Sequence, residues 1–188
     1  MQTEKKDWLK FTVGFIACLF FRLIPFRVPN IEPILAVQMP FSRIYGGVAG
    51  FSFAFFSIVV YDFFTSGLGM WTLITAVVYG SMGLWAVHYF KNKKNNSFEY
   101  VKFAIMSTIA FDAITGLSVG PLFFHQSFFT ALVGQIPFTV LHLIGNSAFA
   151  LILSPSIYNF ILKKEKNRTL LQNDLNFTCP VTNSANGA

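Results

Sequence analysis

The chain has 188 residues, 54% of them hydrophobic and only 12% charged, with a mean hydropathy of +0.55. A soluble domain carries about a quarter charged residues, so that class is excluded, and the long uncharged runs mark an integral membrane protein. The net charge of +6 sits in short basic clusters without the aromatic interleaving or motif context of a nucleic-acid binder, which argues against that partner.

Residues 1–9 form a polar start with Trp8 as an interfacial anchor. The first span is expected from Lys10 to Pro25, with Gly14 and Cys18 four apart as a small-residue face for helix contact. Arg22 interrupts its apolar run and no small-x-small cleavage site follows, so it reads as a retained helix and not as a signal peptide. A tight turn over Phe26-Arg27-Val28-Pro29-Asn30 leads to a second segment, Ile31 to Arg43. It contains Glu32, Pro33, Gln38 and Pro40. At 1.5 Å per residue it reaches only about 20 Å, short of the roughly 30 Å hydrocarbon core. A bent or partly inserted helix, sheltered from lipid by its neighbours, is the expectation.

The third span is placed at Tyr45–Phe64, where Gly46, Gly50 and Ala54 form a stripe that admits a second helix closely. The loop Thr65–Gly69 precedes a fourth span, Met70–Phe90, with aromatic residues at both ends. After the polar loop 91–97 the fifth span is expected from Glu99 to Leu117, ended by Gly116, Gly120 and Pro121. An outer loop over Ser118–Ser127, a short interfacial helix over Phe128–Gln135 and a sixth span over Ile136–Leu162 complete the membrane domain, 10–162. The tail 163–188 is polar and reads as disordered.

Basic residues cluster before the first span (Lys5, Lys6, Lys10), between the fourth and fifth (Lys91, Lys93, Lys94) and after the last (Lys163, Lys164, Lys166, Arg168). Six spans in an all-α bundle with both termini cytoplasmic put all three clusters on one side. Cys18 and Cys179 are too far apart in kind, one in a span and one in the tail, to suggest a disulfide. No metal-ligand spacing and no cofactor motif occurs, and no Gly-x-x-x-x-Gly-Lys-Ser/Thr run is present to cradle a nucleotide phosphate.

A pattern recurs at three helix ends: an aromatic, an ionisable residue, an apolar pair and a helix-ending residue. It appears as Phe21-Arg22-Leu23-Ile24-Pro25, as Tyr61-Asp62-Phe63-Phe64-Thr65 and as Phe111-Asp112-Ala113-Ile114-Thr115-Gly116. An Asp or Arg at mid-bilayer costs roughly 2.5–3.5 kcal/mol on insertion scales, so such residues are functional candidates by default. The six-span topology places Arg22, Asp62 and Asp112 at one level near the outer face. Asp62 and Asp112 are either ligand-binding groups or helix-end caps. Arg22 either snorkels, neutralises a buried carboxylate such as Asp62 or Asp112, or holds an anionic substrate.

Several runs resemble the substrate-binding S components of energy-coupling factor (ECF) vitamin transporters. They are Arg22-Leu-Ile-Pro with Pro29-Asn-Ile-Glu-Pro, Tyr61-Asp-Phe-Phe-Thr with Leu68-Gly-Met-Trp-Thr, Phe111-Asp-Ala-Ile-Thr-Gly, and Gly134-Gln-Ile-Pro through Asn146. The resemblance implies a multi-pass protein of the plasma membrane that captures a small water-soluble, vitamin-like molecule from outside. It also implies partners: a transmembrane coupling subunit and two ATPase subunits. That family's two alanines four apart on the first helix are replaced here by Gly14 and Cys18.

The candidate substrate-binding set is therefore Arg22, Arg27, Asn30, Glu32, Asp62, Thr65, Trp71, Asp112, Thr115, His125, Gln126 and Gln135. His142 and Asn146, one turn apart on the sixth span, read instead as a cross-helix bonding pair. Two other readings stand beside the transporter. One is an intramembrane diaspartyl peptidase in which Asp62 and Asp112 share a proton; the other is a non-catalytic envelope scaffold, which would have no polar pocket at the outer face.

Overall fold

The computed structural model describes the backbone of residues 2–26 and 30–178, and side chains over 9–26, 30–123 and 125–162. Among these residues the architecture is all-helical: α1 (Gln2–Leu23), α2 (Ile34–Tyr45), α3 (Gly47–Phe64), α4 (Met70–Phe90), α5 (Ser97–Phe124) and α6 (Phe128–Thr178). Among the described residues four stretches are long and apolar enough to cross a bilayer: Gly47–Phe64, Met70–Phe90, Ser97–Phe123 and Phe128–Leu162.

The short second segment is the hub of the bundle. α2 has 12 residues, about 18 Å of helix, and cannot span alone. Every residue from Ile34 to Ser42 is buried, and α2 packs against all five other helices. A helix this short, with Gln38, Pro40 and Ser42 in it, is tolerated at membrane depth because protein surrounds it. Gln38 donates from Nε2 to the carbonyl oxygens of Tyr79 (3.0 Å) and Gly50 (3.2 Å), and Ser154 Oγ donates to Ala36 O at 2.8 Å. At the far end Arg43 donates from Nη1 to Tyr100 Oη at 3.1 Å and lies over the Tyr158 ring, 4.3 Å from its centre. α2 is thereby pinned to α3, α4, α5 and α6 through polar atoms as well as by packing.

Gly46 joins α2 to α3 with φ +92°, a conformation only glycine adopts without strain. The chain reverses so tightly there that a Cβ on Gly50 would run into Ser42. Gly83 on α4 meets the same place: its Cβ would lie 2.6 Å from the Gly50 carbonyl carbon and 2.7 Å from Gln38 Nε2. The expected glycine stripe thus seats α2, α3 and α4 together. Gly14 faces inward as well, its Cβ position 3.2 Å from the Phe41 ring, and Cys18 is buried.

Two expected boundaries are corrected. α5 does not stop near Leu117 but runs to Phe124, through Gly116, Gly120 and Pro121, which shortens the outer loop to residues 125–127. The glycines read as breakers are contact points, because a Cβ on Gly116 would strike the Gln135 side chain of α6 and one on Gly120 would meet Gln126 at 2.9 Å. In a membrane, where close packing drives helix association, small residues sit at such contacts. Phe128–Gln135 is likewise not a separate interfacial helix. It is the beginning of α6, which is continuous through Pro137 and Pro155 and runs to Thr178, past the membrane-domain boundary placed at Leu162.

Candidate functional site

The last turn of α1 puts Arg22 against the loop before α2 and the face of α3. Its Nε lies 3.0 Å from Glu32 Oε2, Nη1 donates to Ser57 O at 3.2 Å, and the guanidinium lies 3.9 Å from the centre of the Tyr61 ring. The ion pair is nearly buried on both sides, so each charge compensates the cost of desolvating the other. Arg22 is therefore neutralised by Glu32, and not by Asp62 or Asp112. Beside it opens a hollow of about 390 Å³ lined by Arg22, Leu23, Ile24, Pro25, Phe26, Tyr61 and Thr65. Thr65 reaches this wall from the end of α3, its Oγ1 donating to Tyr61 O at 2.8 Å.

Asp62 serves a different seam. The residue is 8% exposed, and its carboxylate accepts from Thr72 Oγ1 at 2.7 Å, tying the end of α3 to the start of α4. The helix-ending function falls to its backbone carbonyl, which receives N–H bonds from Thr65, Ser66 and Gly67. The capping alternative is thus met by the main chain, and the side chain makes the cross-helix bond.

Asp112 is deeper than the sequence pattern places it. Because α5 continues to Phe124, Asp112 lies twelve residues, about 18 Å along the helix, below that end. It is 1% exposed and faces His142, 3% exposed, with Oδ1 2.9 Å from Nδ1. One turn further in, Asn146 Nδ2 donates to Thr108 Oγ1 at 2.8 Å. One turn outward, Gln135 covers Gly116. A polar ladder thus runs along the α5–α6 seam, with the Phe111 ring between Tyr79 of α4 (4.9 Å) and His142 (5.7 Å). Buried atoms without a partner gather here: Asp112 Oδ2, His142 Nε2, Asn146 Oδ1 and Tyr79 Oη. Unsatisfied polar groups at this depth are costly and are candidates to meet a ligand or water.

The remaining candidates divide. Thr115 is buried, but its hydroxyl bonds back to Phe111 O at 2.8 Å. Asn30, at φ +64°, packs its backbone against Gly145 of α6. Trp71 is 47% exposed on the outside of α4, as an interfacial anchor is. His125, left-handed at φ +52°, and Gln126 are exposed at the α5–α6 turn. Arg27 lies outside the described residues. Arg22, Glu32 and Thr65 thus come together, Asp112 and Gln135 lie along the α5–α6 seam with Gln126 at the turn beyond it, and Asp62 stands between α3 and α4. Tyr61, Thr72, Tyr79 and His142 are the partners that sequence reasoning left out of the set. Tyr61 and Phe111 carried a signal as the repeated aromatic before the ionisable residue, Thr72 closed the family-like run that starts at Leu68 and His142 was read as a cross-helix bonding residue, whereas Tyr79 carried none.

Asp62 and Asp112 are each bonded to a partner of their own on separate seams, which is not the shared-proton arrangement of a diaspartyl pair. The helices and their buried ionisable groups define a multi-pass membrane protein with polar chemistry concentrated inside its bundle. Residues 11–163 match the family described as ECF-type riboflavin transporter, S component, and the chain belongs to that family. It is a transporter component, the substrate-binding subunit of an ECF-type system. No curated protein and no solved structure matches the chain.

Proposed function

We propose that this chain captures a small water-soluble vitamin at the outer face of the plasma membrane and hands it to an ATP-driven importer. The observation that carries the reading is the 390 Å³ hollow beside the Arg22–Glu32 pair. A paired guanidinium stacked on Tyr61 offers a polar rim and a flat aromatic surface side by side, which suits a heteroaromatic ligand. Orientation follows from the basic clusters, which put the α1 start, the 91–97 loop and the α6 end on the cytoplasmic side and the hollow outside. The family's description names riboflavin, so riboflavin is the first ligand to test. With no phosphate-cradling motif in the chain, energy is supplied by partners, a transmembrane coupling subunit and two ATPase subunits.

The test is a titration of riboflavin into the purified protein, read by quenching of flavin fluorescence, with mass spectrometry of any co-purified small molecule. Saturable 1:1 binding that weakens in Tyr61→Ala supports the reading. A protein that neither binds riboflavin nor retains a vitamin-like molecule would overturn it.

A further inference from the structure

The half of the bundle that carries the hollow is short of free positive charge. By sequence it holds two basic residues, Arg22 and Arg27, against three carboxylates, Glu32, Asp62 and Asp112. Arg22, Glu32 and Asp112 all lie within electrostatic reach of the Tyr79 hydroxyl. Arg43, Lys93 and Lys102 belong to the opposite end, where they meet Tyr100 and Glu99. Among the described residues that line the hollow, Arg22 is the one cation. Its guanidinium is committed on three sides, to Glu32 Oε2, to Ser57 O and to the Tyr61 ring. Helix N-termini, the other common seats of a phosphate group, are taken as well. Glu32 stands two residues before α2, and the first turn of α4 is bonded to Asp62 through Thr72. At the start of α6, Ser127 Oγ accepts from Thr130 N at 3.1 Å.

We infer that Glu32 sets the charge class of the cargo, an inference that rests on the ligand site proposed above: the hollow takes the free vitamin and rejects its phosphate ester. A phosphate monoester carries a charge of about −1.5 to −2 at pH 7. Taking such a group out of water is costly unless a cation or several donors meet it. A guanidinium grips phosphate through a free fork of parallel N–H bonds, and here Glu32 holds the Nε side of that fork. The surplus carboxylates add repulsion, and like charges brought together are a means of suppressing a wrong partner. A neutral heteroaromatic ring with hydroxyl groups meets neither penalty, and Tyr61 and Thr65 line the hollow for it. Glu32 acts through Arg22, as a positioning residue, and need not touch the cargo.

The full chain, purified in detergent, is titrated in parallel with riboflavin and with riboflavin 5′-phosphate, each read by quenching of flavin fluorescence. The ester is expected to bind roughly 10- to 100-fold more weakly, the scale of one missing charge-assisted bond. Glu32→Gln uncovers Arg22 and should narrow that gap roughly ten-fold, whatever it does to the absolute affinities. Asp62→Asn removes a carboxylate while keeping an acceptor for Thr72, and should narrow the gap as well. Equal or tighter binding of the ester by the unaltered chain would overturn the inference and leave the proposed function standing. So would a gap unchanged in a folded Glu32→Gln or, should that variant not fold, in Asp62→Asn. A chain that binds neither flavin removes the riboflavin reading and this inference with it.

Discussion

Asp112 and His142 face one another across the α5–α6 seam at 2.9 Å, with the other oxygen of the carboxylate and the other nitrogen of the ring left without partners. A single proton between Oδ1 and Nδ1 makes the bond. Removing one member leaves a buried polar atom of the other unsatisfied, a change that costs about 1–3 kcal/mol. Asp112→Ala and His142→Ala should each destabilise the detergent-solubilised protein by about that scale, while the double variant should lose less than the sum. Thermal unfolding of all three checks this, and strict additivity would show that the pair is not coupled.

Arg22 and Glu32 make the corresponding prediction at the hollow. Arg22→Ala leaves Glu32 without its ion-pair partner and uncovers the Tyr61 ring, so both stability and riboflavin affinity should fall. Arg22→Ala combined with Glu32→Gln should restore stability but not affinity. If the combined change restored both, the guanidinium would have no part in binding.

Gln38 Nε2 draws α3 and α4 onto α2 through the carbonyls of Gly50 and Tyr79. Gln38→Leu keeps the bulk and removes the donor. The expected loss is about 1–3 kcal/mol, the range for a buried acceptor deprived of its partner, measured as a lower midpoint of unfolding. An unchanged midpoint would mean that packing alone holds α2.

Gly83 and Gly116 separate two kinds of close contact. A Cβ on Gly83 meets the backbone of Gly50, which cannot move without shifting α3. Gly83→Ala should therefore cost about 1–3 kcal/mol, as overpacking does. At Gly116 the obstacle is the flexible end of Gln135, so Gly116→Ala should cost less and be relieved by Gln135→Ala. Equal penalties, or no relief, would contradict this distinction.

Hydropathy and charge alone were enough for the membrane class, the fourth helix to the residue and the shortness of α2. These follow from local rules: hydrocarbon excludes charge and 1.5 Å per residue sets reach. The same rules misplaced the end of α5, because Gly116 and Gly120 are helix breakers in isolation and helix contacts when Gln135 and Gln126 lie over them. Only the packed bundle decided that α2 is its centre, that Arg22 belongs to Glu32, and that Asp112 sits deep beside His142. Those pairings join residues from 10 to 30 positions apart, and no local pattern encodes which buried charge meets which. That choice is made when the helices close and each ionisable group takes the partner within reach.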